Sequence, residues 1–134
     1  MVLVNARTNE AVARDVALAV TRATRRRGLL GRDSLNPSAA LVLSPCWAIH
    51  TMFMRFAIDV IFVDRQGRAV RIVHELPPWR ITGAAGARST IELRAGSLQL
   101  LDVQVGDQFR LAETEASDRN HDDSPWPGPR TQRS

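Results

Sequence analysis

Short runs of apolar residues, separated by turn residues, are the main pattern along this chain. Eight runs stand out by their alternation of apolar and polar positions and by their content of Val, Ile, Leu and Phe. They cover residues 2–5, 15–20, 39–44, 49–54, 58–64, 68–76, 89–95 and 107–112. This spacing predicts a mainly β protein, a small antiparallel β-sandwich or barrel of about eight short strands with one or two short helices.

Two segments interrupt the β pattern with helical features. Residues 21–31 (TRATRRRGLLG) begin with a threonine suited to N-capping and end at Gly31, a residue suited to the C′ position. Residues 96–103 are long enough for one or two further turns. Residues 77–87 (PPWRITGAAGA) are rich in Pro, Gly and Ala and predict a loop.

The end of the chain differs in composition from the rest. Residues 113–134 are polar, rich in proline and almost free of aliphatic side chains, so they cannot bury enough surface to become ordered. We therefore expect one β domain over residues 1–112, followed by a disordered tail.

Composition and charge narrow the function classes. All 18 basic residues are arginines, against 14 acidic residues, and residues 1–111 hold fifteen of the arginines and nine of the acids. Such a basic domain attracts anions. Aromatic residues make up only 5% of the chain and no recognition module is visible, so we do not expect nucleic-acid binding. A single cysteine excludes an internal disulfide. Without a signal peptide or a membrane-spanning stretch, a cytoplasmic location away from membranes is expected.

Four stretches together resemble a bacterial and archaeal family called domain of unknown function 192. They are RRRGLLGRDSL (25–35), AIDVIFVDRQGRAV (57–70), STIELRAG (89–96) and VQVGDQF (103–109). The resemblance extends over roughly residues 2–112. It implies a small, largely β domain of sandwich or barrel type, and it implies no particular activity. The positions that match the family pattern are Arg32, Asp59, Gly67, Glu92, Gly96, Gly106 and Asp107.

A row of soft donor atoms precedes the strand predicted at 58–64. In one extended strand, Cys46, His50, Met52 and Met54 would share a face, because side chains alternate. Cys46 and His50 would then lie about 13 Å apart at their Cα atoms, too far to share a metal ion or to form a thiol–imidazole dyad. We therefore predict methionines that fill the core, with no metal site and no cofactor. The dyad remains open only if the chain turns near Pro45.

Asp59 lies at the beginning of the predicted strand at 58–64, where a carboxylate must be paired or hydrogen-bonded. An arginine is the expected partner, and Arg32, Arg55 and Arg80 are the candidates by context. The pair would either hold the fold together or form the floor of a pocket. Glu92 alternates with apolar neighbours and would either join this cluster or face water.

Two further features suggest binding surfaces. Trp79 and Arg80, in the loop at 77–80, would either bind a partner or cover one end of the core. The four arginines of residues 22–28 would either contact phosphate or form a solvated helix face.

These observations lead to three alternative functions. The first is a non-enzymatic binding module whose polar pocket, with Asp59 and Arg32 at its floor, takes a small polar or anionic ligand or a peptide end. The second is a small hydrolase or metal-dependent enzyme that uses His50 with Asp59 or Glu92, and the third is a structural accessory protein that binds a partner through the 77–80 loop. The residues predicted for the ligand site are Arg32, His50, Thr51, Asp59, Trp79, Arg80 and Glu92.

Overall fold

The computed structural model describes residues 1–113, in which strands dominate. The strands are Val2–Asn5 (β1), Glu10–Ala13 (β2), Asp15–Ala19 (β3), Ala39–Leu43 (β4), Ala48–His50 (β5), Ile58–Val63 (β6), Ala69–Leu76 (β7), Ile81–Gly83 (β8), Ser89–Arg94 (β9) and Phe109–Ala112 (β10). One α-helix, Arg22–Arg27 (α1), and one 3₁₀ helix, Leu98–Leu100, complete the described elements. The predicted tail lies outside the described residues from residue 114 onward.

The strands form three sheets. A five-stranded sheet has the order β3-β4-β9-β6-β7, and its strands are antiparallel except for the parallel pair β3–β4. A three-stranded sheet has the order β10-β1-β2, and β5 pairs with β8 in a small ribbon. The prediction of a mainly β, mainly antiparallel protein is confirmed. The barrel alternative is not formed, because the strands of residues 1–113 divide into three separate sheets.

The five-stranded sheet is buried on both faces. Leu3, Val12 and Phe109 from the three-stranded sheet pack against Val42 and Ile91 on one face, which gives a two-layer sandwich. On the opposite face, the segment that follows α1 and the β5 region cover a second apolar cluster. This cluster includes Leu29, Leu35, Leu41, Leu43, Ile49, Met54, Val60 and Phe62. Two separate cores on one sheet mean that alternate residues of its strands enter different environments.

Three local predictions from the sequence are wrong. β2 and β8 fall in segments predicted as turn and loop, because the polar residues before β2 and the Pro, Gly and Ala residues around β8 favour turns and loops. The strand predicted at 49–54 ends at His50, since the amide N–H of Met54 bonds back to the carbonyl of Thr51 at 3.2 Å. Phe53 there has a φ of 67°, in the left-handed region and outside the range of regular β-strands.

Helix α1 begins as predicted and ends earlier. Thr21 is the N-cap: its hydroxyl accepts from the N–H of Thr24 at 3.1 Å, and the hydroxyl of Thr24 accepts from the N–H of Thr21 at 3.1 Å. Gly28, and not Gly31, is the C-cap, with a φ of 47° and its N–H bonded to the carbonyl of Thr24. The helix is therefore short and ends in three consecutive arginines, a favourable place for cations.

A polar cluster around Asp107 fixes the turn before β10. This buried carboxylate accepts from the N–H of Gln104 at 2.8 Å, from the amide of Asn5 at 2.9 Å and from the guanidinium of Arg7 at 2.6 Å. Burial acts to raise the pKa of Asp107, but these bonds outweigh it and hold the pKa below its ordinary value. The cluster ties β1 to β10, and none of its residues lines the cavity described below.

Candidate functional site

A cavity of about 510 Å³ opens beside α1, on the face of the five-stranded sheet that the three-stranded sheet does not cover. Its apolar wall comes from the second core cluster and includes Leu29, Leu43, Ile49 and Met54. The polar and ionisable side chains that line it are Arg22, Arg25, Arg26, Arg27, Cys46, His50 and Glu92. A helix, a sheet and a turn of chain thus bring together residues that are far apart in sequence.

Glu92 is the buried carboxyl group of this cavity. It lies in β9, directly opposite Leu41 of β4 and Val60 of β6, and its side chain is only 3% exposed. Its Oε1 atom has no hydrogen-bond partner among residues 1–113. Burial raises the pKa of Glu92 to about 7, so the group is only partly ionised at neutral pH.

The arginines of α1 form the basic part of the lining. Arg25 donates from Nη1 to the carbonyl of Val20 at 3.1 Å. Within the described part of the chain, the guanidinium groups of Arg22, Arg26 and Arg27 make no hydrogen bond or ion pair. Three cationic groups are therefore free to bind a ligand that enters from the helix side.

Cys46 and His50 both line the cavity, because the chain bends at residues 44–45 before β5 begins. The sequence prediction assumed one extended strand from Cys46 to His50. This strand is not formed, because β5 begins only at Ala48. The thiol of Cys46 donates to the carbonyl of Ala48 at 3.2 Å, and burial raises its pKa. Nδ1 of His50 accepts from the N–H of Met52 at 3.2 Å, so in the neutral ring Nε2 carries the proton. Neither group is arranged as an activated nucleophile or its base.

Asp59 lies on the opposite face of the same sheet. The β6–β9 register places it beside Leu93, a residue of the first core, while Val60 lies beside Glu92. Its two carboxylate oxygens accept from the backbone N–H groups of Glu75 at 2.8 Å and Leu98 at 3.0 Å. The expected partnership with an arginine is wrong, because two main-chain donors already satisfy this carboxylate.

The candidate arginine partners lie elsewhere. Arg32 is exposed, Arg55 is paired with Asp33, and Arg80 donates to the carbonyl of Trp79. The predicted pocket floor of Asp59 and Arg32 is therefore not formed.

Thr51, Trp79 and Arg80 form a separate group. The buried hydroxyl of Thr51 donates to the carbonyl of Pro77 at 2.7 Å and accepts from the N–H of Arg80 at 2.9 Å. Thr51 therefore anchors the 77–80 loop. Trp79 is 55% exposed, and its ring centroid lies 4.8 Å from that of Phe53. The residues predicted as one site are thus divided, and only His50 and Glu92 share the cavity.

The sequence prediction did not include the arginines of α1 or Cys46 in the ligand site, although they line the cavity. The arginine cluster was visible, but its position over the sheet was not, since a six-residue helix with no buried residue carries no apolar stripe. Among residues 1–113, no group of three or more His, Cys, Asp or Glu side chains is arranged to hold a metal ion. No helix in this part of the chain is long and apolar enough to cross a membrane.

Several known proteins are similar to this chain in sequence. It is 32% identical over 99 residues to a UPF0127 protein of Thermococcus sibiricus, a match that covers 70% of this chain and 64% of the relative. It is 35% identical over 111 residues to a UPF0127 protein of Thermococcus gammatolerans, covering 78% and 71%. The chain thus spans less than two thirds of the length of the first relative.

Two crystal structures share the fold. A protein of unknown function from Novosphingobium aromaticivorans aligns with a TM-score of 0.66 and 24% identity over 71% of this chain and 73% of its own. A Sinorhizobium meliloti protein, whose name proposes a role in transcription regulation, aligns with a TM-score of 0.70 and 21% identity, covering 81% and 89%. At these identities the likeness concerns the fold alone.

The four stretches that carry the resemblance in the sequence lie within a match to a family model. The family model for DUF192, described as uncharacterized ACR, matches residues 3–111, which is almost the whole described part of the chain. The resemblance noted in the sequence is confirmed, and the chain belongs to the DUF192 family.

Proposed function

We propose that this protein is a non-enzymatic binding module that takes a small anionic ligand in the cavity beside α1. The observation that carries the proposal is that arginines from one helix line this cavity, and that the guanidinium groups of three of them make no hydrogen bond or ion pair among residues 1–113. Arg22, Arg26 and Arg27 offer planar, permanently charged donors that match carboxylate and phosphate groups.

The size and lining of the cavity support the same proposal. Its volume of about 510 Å³ lies within the range of about 300–1,000 Å³ that small-molecule sites occupy. Apolar walls next to a few polar groups are typical of such sites. The four arginines outnumber the single carboxyl group in the lining, so the local field attracts anions.

Titration with simple anions tests this proposal. We expect inorganic phosphate or a small carboxylate such as succinate to raise the melting temperature and to give a saturable calorimetric signal. The double variant Arg26→Ala/Arg27→Ala should weaken binding by about tenfold. Arg65→Ala/Arg68→Ala is the matched control, because it removes the same two charges and both arginines are exposed and do not line the cavity. Equal losses in both variants would mean nonspecific attraction and would reject the cavity as the site.

An accessory role through the 77–80 loop is a second candidate. The exposed Trp79 packs its ring against the 71%-exposed ring of Phe53, and both residues have a positive φ, of 68° and 67°. Exposed aromatic side chains held in such conformations favour a binding surface for a protein partner. Trp79→Ala should then abolish recovery of a partner in pull-downs while anion binding stays intact, and unchanged recovery counts against this role.

The enzyme alternative retains less support. His50 and Glu92 line one cavity, but Asp59 is on the other face of the sheet and is fully used by backbone donors. Hydrolysis of model esters or phosphoesters that is lost in His50→Ala would revive it, and activity unchanged by that variant would end it.

A further inference from the structure

The cavity holds opposite charges that do not pair with each other. Glu92 lies at the sheet, with Oε1 unpartnered among residues 1–113, while the arginines project from α1. No ion pair within the described part of the chain includes Glu92, and the raised pKa of Glu92 is caused by burial without an opposing contribution from an arginine. The acidic and basic parts are therefore separate subsites of one cavity.

We propose that the ligand is a small zwitterion, an amino carboxylate, whose ammonium group binds Glu92 and whose carboxylate binds the arginines of α1. This inference rests on the proposed function, because it adds an ammonium group to the anionic ligand proposed above. An ammonium group has three N–H donors and no acceptor, which suits an unpartnered carboxylate oxygen. A bound cation would also offset the cost of a buried carboxylate.

A ligand that places a second anionic group beside Glu92 would need Glu92 in its protonated form, as a donor. The two arrangements differ in the direction of their pH dependence. The other ionisable groups that line the cavity are Cys46, His50 and the arginines of α1, whereas β4 and β6 place the apolar Leu41 and Val60 beside Glu92. Pairing with ammonium requires the ionised carboxylate, so binding should strengthen as the pH rises through about 7. Donation by a protonated Glu92 would make binding weaken over the same interval.

Matched probes separate the two subsites. We would titrate the full chain with ω-amino carboxylates of increasing length, and with the monocarboxylate and monoamine of each length, by calorimetry. We expect one amino carboxylate to bind about ten- to a hundredfold more tightly than the monocarboxylate of equal length. In Glu92→Gln this preference should disappear, while the affinity for the monocarboxylate stays the same.

The outcomes distinguish this inference from the proposed function. If the monocarboxylate binds as tightly as its amino counterpart, and Glu92→Gln changes neither, the zwitterion is rejected and the anion site stands. The zwitterion is also rejected if the preference weakens as the pH rises through about 7. If no probe binds and Arg26→Ala/Arg27→Ala behaves like the wild type, the proposed function fails first and the inference fails with it.

Discussion

The stability of the fold should depend on pH between 4.5 and about 7 because Glu92 is buried, and replacement of Glu92 by glutamine should remove this contribution. In the folded protein the pKa of this carboxyl group is about 7, against an ordinary value of 4.5. Between these two values the folded state keeps a proton that the unfolded chain has already lost. The free energy of unfolding therefore falls as the pH rises through this interval.

The magnitude follows from the size of the pKa difference. Each pH unit corresponds to about 1.4 kcal/mol, so the ionisation of Glu92 costs the native state about 3 kcal/mol once the pH is above 7. The stabilisation by the neutral form is fully present below about pH 4.5 and is lost as the pH rises through about 7. Glutamine has nearly the same shape and never ionises. The stability of the Glu92→Gln variant relative to the wild type should therefore increase by about 3 kcal/mol as the pH rises across the interval.

Urea unfolding of both proteins, followed by circular dichroism from about pH 4 to about pH 9, measures this difference. The histidines and the remaining carboxylates occur in both proteins, so their contributions cancel in the comparison. The amide of glutamine adds two buried donors, which shifts the whole variant curve by a constant amount and leaves the change with pH intact. Parallel curves for the two proteins would show that Glu92 is not a buried, proton-binding group, and would remove the basis of the acidic subsite.

Three other substitutions test contacts that hold the fold together. Asp59→Asn should destabilise the protein by about 1–3 kcal/mol at neutral pH, because an NH₂ group would face one of two backbone donors, and chemical denaturation measures it. Gly83→Ala should cost about 1–3 kcal/mol, since the added Cβ would lie 2.8 Å from the carbonyl oxygen of Trp47 and 2.9 Å from Cβ of Ala48; an unchanged melting temperature contradicts this. Thr21→Ala removes the N-cap and should cost about 1 kcal/mol together with weaker succinate binding, whereas loss of stability alone would argue against a role for α1 in binding.

Most of the strand pattern was predictable because it depends on short-range alternation. The runs at 2–5, 39–44, 58–64 and 89–95 agree with observed strands to within a residue at each end. Each of these runs lies in the interior of a sheet, where burial favours β-branched and aliphatic side chains over several positions. β8 was missed because it has only three residues and includes Gly83, whereas the run predicted at 49–54 overlaps β5 at residues 49–50 only.

The site itself was only partly predictable. The sequence indicated that His50 and Glu92 could act together in one site. It did not show that Cys46 and the arginines of α1 line the same cavity. Cys46 enters the cavity because the chain bends at 44–45, and the sequence left that bend open only as an alternative to an extended strand. Such a bend depends on where β4 stops pairing with β9. This pairing is a long-range contact, which local sequence patterns do not reveal.

Asp59 and Glu92 show why a buried carboxylate cannot be assigned a role from sequence alone. Both lie in interior strands between apolar neighbours, and both are almost fully buried. Strand register sends them to opposite faces, where one meets two backbone N–H groups and the other meets an open cavity. A carboxylate satisfied by the main chain belongs to the fold, since its removal leaves donors unpaired. A buried carboxyl group with an unpartnered oxygen costs stability when no ligand is bound, and the contacts of the fold do not explain why Glu92 is kept there. The cavity that Glu92 and the arginines of α1 line is the place where we propose such a use.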